Sequence, residues 1–224
     1  MRIKLIILRT VVLAGASGLV GSSLLHLLLN ENRIDQVVTL GRNPLLLKHN
    51  KLVEKIVSFN DVESWRGLIK GSAVFCCLGS TRKKTPDLNE YRKVDYTYPL
   101  LMAKFASEHK VDQYHIVSAL GSNPDSYNFY TKLKGEIERD LKKVPFKSLH
   151  IYKPSLITGE RKEKRTLEAM GAAIMRIIDP LLAGRLRKYR SIKAESIAKA
   201  MLKQYLKDLE GTYVYPSDRI KQLA

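Results

Sequence analysis

The stretch Val11-Val12-Leu13-Ala14-Gly15-Ala16-Ser17-Gly18-Leu19-Val20-Gly21-Ser22-Ser23 reads as a strand, a tight turn and the start of a helix. Residues 11–14 form a short apolar run stopped by glycine, as a strand buried on both faces does. Leu24, Leu25, Leu28 and Leu29 then recur at helical spacing within residues 19–30. The glycines between follow G-x-x-G-x-x-G, a variant of the G-x-G-x-x-G turn that cradles dinucleotides. Gly15 lets the chain leave the strand sharply. Gly18 lets a pyrophosphate approach bare backbone, and Gly21 lets the helix pack close to the sheet. A helix starting near Leu19 points free N–H groups and the positive end of its dipole at the same spot. Gly15, Ala16, Ser17, Gly18, Leu19, Val20 and Gly21 are the candidate phosphate cradle.

Outward from this turn, strand-like and helix-like segments alternate. Residues 36–40, 55–59, 73–78, 113–118 and 146–153 read as further strands. Residues 62–69 read as a short helix capped by Asp61, 88–108 as a long helix kinked or broken at Pro99, and 126–142 as another. Beyond Lys153 the rhythm changes: 165–178 looks helical, 194–209 is a clear helix, and 211–215 a short strand. Repeated strand–helix–strand units with short connections predict the α/β class, as a Rossmann-type doubly wound parallel sheet with a small C-terminal elaboration. Residues 1–224 read as a single domain, in which 154–224 contribute the substrate-side elaboration.

A chain of 224 residues buries enough core to need neither disulfide nor metal for stability. Cys76 and Cys77 are adjacent in an apolar run. On a strand they point to opposite faces, so they read as strand filling in a reducing compartment, and the protein as cytoplasmic. The start, Met1-Arg2-Ile3-Lys4, resembles a short signal segment, but Arg9 breaks its apolar run and cleavage near Ala14 or Ala16 would destroy the glycine turn. No apolar run approaches the ~18 residues that a transmembrane helix needs. The net charge of +17, from 39 Lys+Arg against 22 Asp+Glu, favours anionic partners. The basic residues are dispersed, with short clusters at Arg82-Lys83-Lys84, 161–165 and 185–190. A solvated surface or the rim of a site for a small anionic molecule accounts for them better than nucleic acid does.

Two further segments suggest chemistry. After the second strand stands Thr39-Leu40-Gly41-Arg42-Asn43, where an NAD binder usually places a carboxylate for the ribose 2′-OH. Arg42 can instead grip a 2′-phosphate with its planar fork of donors, which favours NADP, NAD remaining the other option. Phe129-Tyr130-Thr131-Lys132-Leu133-Lys134-Gly135-Glu136 contains Tyr-x-x-x-Lys. On a helix these two side chains share a face, so the Lys134 ammonium is expected to lower the Tyr130 phenol's pKa and make it a usable acid and base. Ser118 closes the fifth strand, at the end of the sheet where ligands bind. His26, His49, His109, His115 and His150 show no metal-ligand spacing, and no metal site is expected.

Taken together, these segments resemble the short-chain dehydrogenase/reductase superfamily. More narrowly, they resemble its atypical members, the Tat-interacting protein 2-like / NAD(P)-dependent epimerase-like family. The resemblance runs through Gly15 to Gly21, Leu40-Gly41-Arg42, Cys76-Cys77-Leu78-Gly79-Ser80-Thr81-Arg82, the Tyr130 segment and Lys153-Pro154-Ser155-Leu156-Ile157-Thr158-Gly159-Glu160-Arg161. It implies that Leu78, Gly79, Ser80 and Thr81 line the nicotinamide-side ribose, and that Pro154, Ser155 and Leu156 meet the nicotinamide end. Tyr130 would be the acid/base, Lys134 its activator and ribose anchor, and Ser118 the hydroxyl that polarises a carbonyl.

Three positions depart from the family pattern. Ala119 follows Ser118 where many relatives have a second serine, with Ser122 the nearest substitute. Val94-Asp95-Tyr96 stands where extended members carry an asparagine. Ser58-Phe59 stands where an acidic residue tends to lie near the adenine. The leading reading is an NADPH-dependent reductase of a carbonyl or related small substrate. An NADP(H)-binding regulatory protein and a nucleotide-sugar epimerase-like enzyme are the alternatives.

Overall fold

The computed structural model describes residues 9–159, 182 and 184–224; the helix expected over 165–178 and the basic cluster at 161–165 lie outside them. The strands are β1 (Thr10–Ala14), β2 (Gln36–Gly41), β3 (Leu52–Ile56), β4 (Ala73–Cys76), β5 (Gln113–Val117), β6 (Ser148–Lys153), β7 (Ile157–Thr158), β8 (Ile192–Lys193) and β9 (Gly211–Pro216). Seven of them form one parallel sheet in the order β3-β2-β1-β4-β5-β6-β9, while β7 and β8 pair separately. The chain builds outward from β1 to β3, then restarts at β4 on the other side of β1. At that switch the two adjacent connections leave in opposite directions, opening a crevice beyond the carboxyl ends of the strands. The class is the Rossmann-like α/β fold that the alternation predicts.

The helices are α1 (Leu19–Asn30), α2 (Glu63–Arg66), α3 (Leu88–Arg92), α4 (Tyr98–Glu108), α5 (Phe129–Leu141), α6 (Ala194–Leu206) and α7 (Ser217–Leu223). Successive strand residues face opposite sides, so β1 feeds two cores. Val11 and Leu13 join Leu24 and Leu28 of α1, Ile197 and Met201 of α6 and Ile220 of α7. Val12 and Ala14 join Trp65 of α2, Met102 and Phe105 of α4, and Ile137 and Leu141 of α5. Helices thus cover both faces. Of the described residues beyond 153, β9, α6 and α7 extend this same layered body.

Three local expectations shift, each for a physical reason. β3 lies three residues earlier than the apolar run at 55–59 suggests: its partner register with β2 starts at Val37 opposite Leu52, and Val57 and Phe59 are spent on the core under Trp65 and Tyr98. Asp61 does not cap α2 with its side chain; its carbonyl accepts from the Ser64 hydroxyl at 2.7 Å instead. The long helix over 88–108 is split by a π turn at Lys93–Thr97. Pro99 has no N–H to offer the Asp95 carbonyl one turn back, so the helix widens there. α5 starts three residues later than expected, because the Asn128 carboxamide accepts from the backbone N–H of Tyr130 at 3.0 Å and of Thr131 at 3.2 Å.

Candidate active site

The glycine turn is built as the chemistry requires. α1 has Gly18 at its N-cap, no side chain capping it and no acidic residue in its first turn, so its first amides are left for an anionic ligand. Gly15 has φ +84°, and a Cβ there would lie 2.5 Å from the Cys77 carbonyl oxygen. A Cβ at Gly21 would lie 2.1 Å from the Gly15 carbonyl oxygen. Those two positions are demanded by the fold itself. At Gly18, which is exposed, a Cβ would meet only the Gly15 carbonyl oxygen, at 3.2 Å. What Gly18 keeps clear is the outer side of the turn, the space a pyrophosphate would occupy.

The other candidate cofactor residues follow the carboxyl ends of neighbouring strands. Arg42 is exposed just past β2, Gly79 is exposed past β4, and Leu78, Ser80 and Thr81 beside it are half-buried. Pro154 is buried past β6 and Leu156 exposed. Ser155 spends its hydroxyl on structure: it donates to the Arg190 carbonyl and therefore accepts from Ser217, 2.9 Å away.

The tyrosine–lysine pair lies on α5 as the spacing predicts, but its electrostatics differ from expectation. Tyr130, Lys134 and Glu138 lie four residues apart along one stripe of the helix. Gly135 lets this helix meet the preceding loop, since a Cβ there would lie 2.1 Å from the Pro124 nitrogen. Lys134 is buried, and its ammonium is 2.8 Å from the carboxylate of Asp95, a residue only 1% exposed on the π turn. Burial opposes the lysine's charge, yet the Asp95 carboxylate beside it more than compensates and raises its pKa. The same carboxylate accepts from the Ser80 backbone N–H at 2.8 Å. The Tyr130 phenol is pushed up by desolvation, although the residue as a whole is 40% exposed; Lys134 pulls it down and Asp95 pushes it up again by less. The expectation that Lys134 leaves Tyr130 with a depressed pKa is thus corrected.

Ser118 is not joined to Tyr130. It is buried and donates its hydroxyl to Glu138, to which Ser122 also donates, while Lys153 pairs with the other carboxylate oxygen at 2.9 Å. Sequence reasoning missed Glu138, which is detectable as the next step of the Tyr130–Lys134 stripe; it singles out Asp95 only as a departure from the family's asparagine, and the contact of Asp95 with Lys134 is made by topology. His115 and Ser118 serve separate networks: the His115 ring sits between Tyr152 and Gln113, at 3.2 and 3.1 Å.

Fold and sequence relatives agree with the resemblance to an atypical short-chain dehydrogenase/reductase. No family model matches the chain. Among curated proteins it is 30% identical to the mitochondrial protein fmp52-1 of Aspergillus terreus, over 94% of this chain and 93% of that one. HTATIP2 of Rattus norvegicus is 29% identical over 70% of this chain and 66% of that one. The chain belongs to the FMP52 family. Solved structures agree on the fold: WbmH of Bordetella bronchiseptica, described as a complex with NAD+, superposes with a TM-score of 0.71 at 17% identity, covering 96% of this chain and 79% of that one. UDP-glucose 4-epimerase of Thermotoga maritima, solved with UDP-glucose, gives 0.68 at 14% identity, covering 96% and 80%. The expectation of a cytoplasmic protein is overturned by the FMP52 relatives, which are named mitochondrial. Among the described residues no helix is long and apolar enough to cross a membrane.

Proposed function

We propose that this protein is an NADPH-dependent reductase of a carbonyl or related small substrate, working in mitochondria. One observation carries the reading: a continuous chain of contacts runs from the glycine turn to the acid/base pair. Gly15 abuts Cys77, the loop after β4 continues to Ser80, the Ser80 N–H donates to Asp95, and Asp95 holds Lys134 one turn from Tyr130. In this reading the amides of Gly15 to Gly21 hold the diphosphate and Arg42 takes the 2′-phosphate. Leu78, Gly79, Ser80 and Thr81 floor the ribose, and Pro154, Ser155 and Leu156 border the nicotinamide. When bound, the dinucleotide supplies a hydride to the substrate carbon.

Tyr130 gives its phenolic proton to the substrate oxygen, and Lys134 holds positive charge beneath it. Ser118 reaches that oxygen as a donor only when its bond to Glu138 opens, which leaves Tyr130 the principal donor. The test is calorimetric titration with NADPH, followed by a carbonyl-substrate screen of the parent protein and Tyr130→Phe. The expected outcome is cofactor binding in both, with turnover in the variant reduced by roughly 10²–10⁴-fold. Equal turnover in the two proteins would remove Tyr130 from the chemistry.

The Ser118–Glu138 bond also favours a second reading, an NADP(H)-binding regulatory protein, since it occupies the hydroxyl that carbonyl polarisation needs. Tight cofactor binding with no turnover across the screen would support it. The likeness to UDP-sugar enzymes makes an epimerase-like activity the third reading. The chain spans 80% of the Thermotoga maritima epimerase, and absence of UDP-glucose binding would eliminate this reading.

A further inference from the structure

The segment after β6 is clamped at three successive residues by different parts of the chain. The Pro154 carbonyl accepts from the Leu120 N–H at 2.8 Å, on the loop after β5. Ser155 donates its hydroxyl to the Arg190 carbonyl and lies 2.9 Å from the Ser217 hydroxyl. The Leu156 carbonyl accepts from the Ile192 N–H at 2.9 Å, where β8 begins. A serine hydroxyl carries one proton, so once Ser155 has given its own to Arg190, the proton between the two serines is that of Ser217. Ser217 is 0% exposed and opens α7, 62 positions further along the chain. Its backbone is fixed on several sides. Pro216 stands opposite Lys153 in the β6–β9 register, the Tyr215 hydroxyl lies 3.0 Å from the His150 ring, and Ile220 is buried in the core with Ile197 and Met201. Closed off from solvent, the Ser217 hydroxyl cannot exchange Ser155 for water, and Ser155 is held from two directions at once.

We propose that Ser217 is a positioning residue for the nicotinamide end of the cofactor site: from the buried start of α7 it donates to Ser155 and holds residues 154–156 in place. The inference rests on the reading of Pro154, Ser155 and Leu156 as the border of the nicotinamide. It gives the C-terminal elaboration a part in the site, because β9 carries Ser217 to the carboxyl end of the sheet, where that segment passes.

The experiment is calorimetric titration of the whole protein with two probes. One is NADPH; the other is 2′-phospho-ADP-ribose, which keeps the adenosine, the 2′-phosphate and the diphosphate but has no nicotinamide. Ser217→Ala is expected to weaken NADPH roughly three- to tenfold, the worth of one neutral hydrogen bond, and to change 2′-phospho-ADP-ribose by less than about twofold. The fluorescence anisotropy of bound NADPH, which reports its nicotinamide, is expected to fall in the same variant. A general loss of packing would weaken both probes alike, so the difference between them separates positioning from stability. Because Ser217 acts through Ser155, Ser155→Ala/Ser217→Ala is expected to bind NADPH no more weakly than Ser155→Ala alone, and additive losses overturn the proposal. Ser217→Cys keeps the volume with a weaker donor and decides if Ser217→Ala does not fold: a selective loss of NADPH supports the proposal, and parity of the two probes overturns it. A parent protein that binds neither probe removes the cofactor reading and this inference with it. A parent that binds both, with Ser217→Ala weakening both alike or neither, overturns this inference alone.

Discussion

The two halves of the sheet build the candidate site above their strand ends from different materials. On the side of β1, β2 and β3 the interior is almost entirely apolar, and the candidate site above it is made of backbone: glycines and the open end of α1. On the side of β5, β6 and β9 stand most of the buried polar groups: Gln113, His115, Ser148 and His150 on one face of the sheet, and Ser118 with Lys134 and Glu138 of α5 on the other. One row of rings crosses that half in register: Phe75, His115, His150 and Tyr213, with centroids 4.6, 4.3 and 5.3 Å apart. A backbone site depends on shape and tolerates any pH. A side-chain site depends on which protons are present, and the variants below separate the two dependences.

The largest effect belongs to the backbone half. Gly21→Ala places a methyl group 2.1 Å from the Gly15 carbonyl oxygen, in a place where only main chain can yield. Stability is expected to fall by about 3 kcal/mol or more by denaturant titration, with loss of NADPH binding. Gly18→Ala is the control. Its Cβ meets one atom at 3.2 Å, so stability should change by about 1 kcal/mol or less while NADPH affinity falls clearly. If both variants lose stability equally, Gly18 is structural and the opening it leaves is no phosphate site.

The polar half should reveal itself on acidification. Burial lowers the His150 pKa to about 4 from the ordinary 6.5, and lowers His115 well below its usual value. The folded protein keeps these rings neutral, whereas the unfolded chain takes up protons below pH 6.5. Their contribution is therefore complete above that pH and is lost as pH falls toward 4. For His150 alone, linkage gives a loss of about 2 kcal/mol between pH 7 and pH 5. His150→Gln, less stable at pH 7, should lose correspondingly less over that interval. A variant whose stability falls as steeply as the parent's would show that the His150 ring is protonated in the fold.

This division also explains what the sequence discloses. Aliphatic strands and glycine spacing are local signals, so β1, the turn and α1 are legible from residues 11–30 with no knowledge of the rest. Tyr130 and Lys134 are legible for the same reason, being one helical turn apart. Their environment is not. Asp95 reaches Lys134 across 39 positions through a π turn that Pro99 induces, and burial, with a smaller push from Asp95, reverses the expected direction of the Tyr130 shift. Ser118 is visible at a strand end, but its partner Glu138 follows from how α5 lies on the sheet. β3 ends at Ile56, before the apolar run does, because Val57 and Phe59 are buried without being in a strand, and hydrophobicity alone does not distinguish the two. Long-range polar contacts carry no period, and the polar half is built of them.

The smallest predicted effect tests the edge of the backbone half, where one side chain would choose between cofactors that the glycine turn treats alike. Arg42 is exposed past β2, and no carboxylate accompanies it in Thr39 to Asn43. The diphosphate is common to NADPH and NADH, so the amides from Gly15 to Gly21 supply no discrimination. Only the 2′-phosphate differs. A guanidinium bonded to it contributes about 1.5 kcal/mol at an exposed site, so Arg42→Ala should weaken NADPH roughly tenfold and leave NADH unchanged. Raising the salt concentration should narrow the parent's preference in the same direction, because this contact is open to screening. Equal weakening of both cofactors would assign Arg42 to the general field of a chain with net charge +17, and the choice of NADP would have to come from elsewhere.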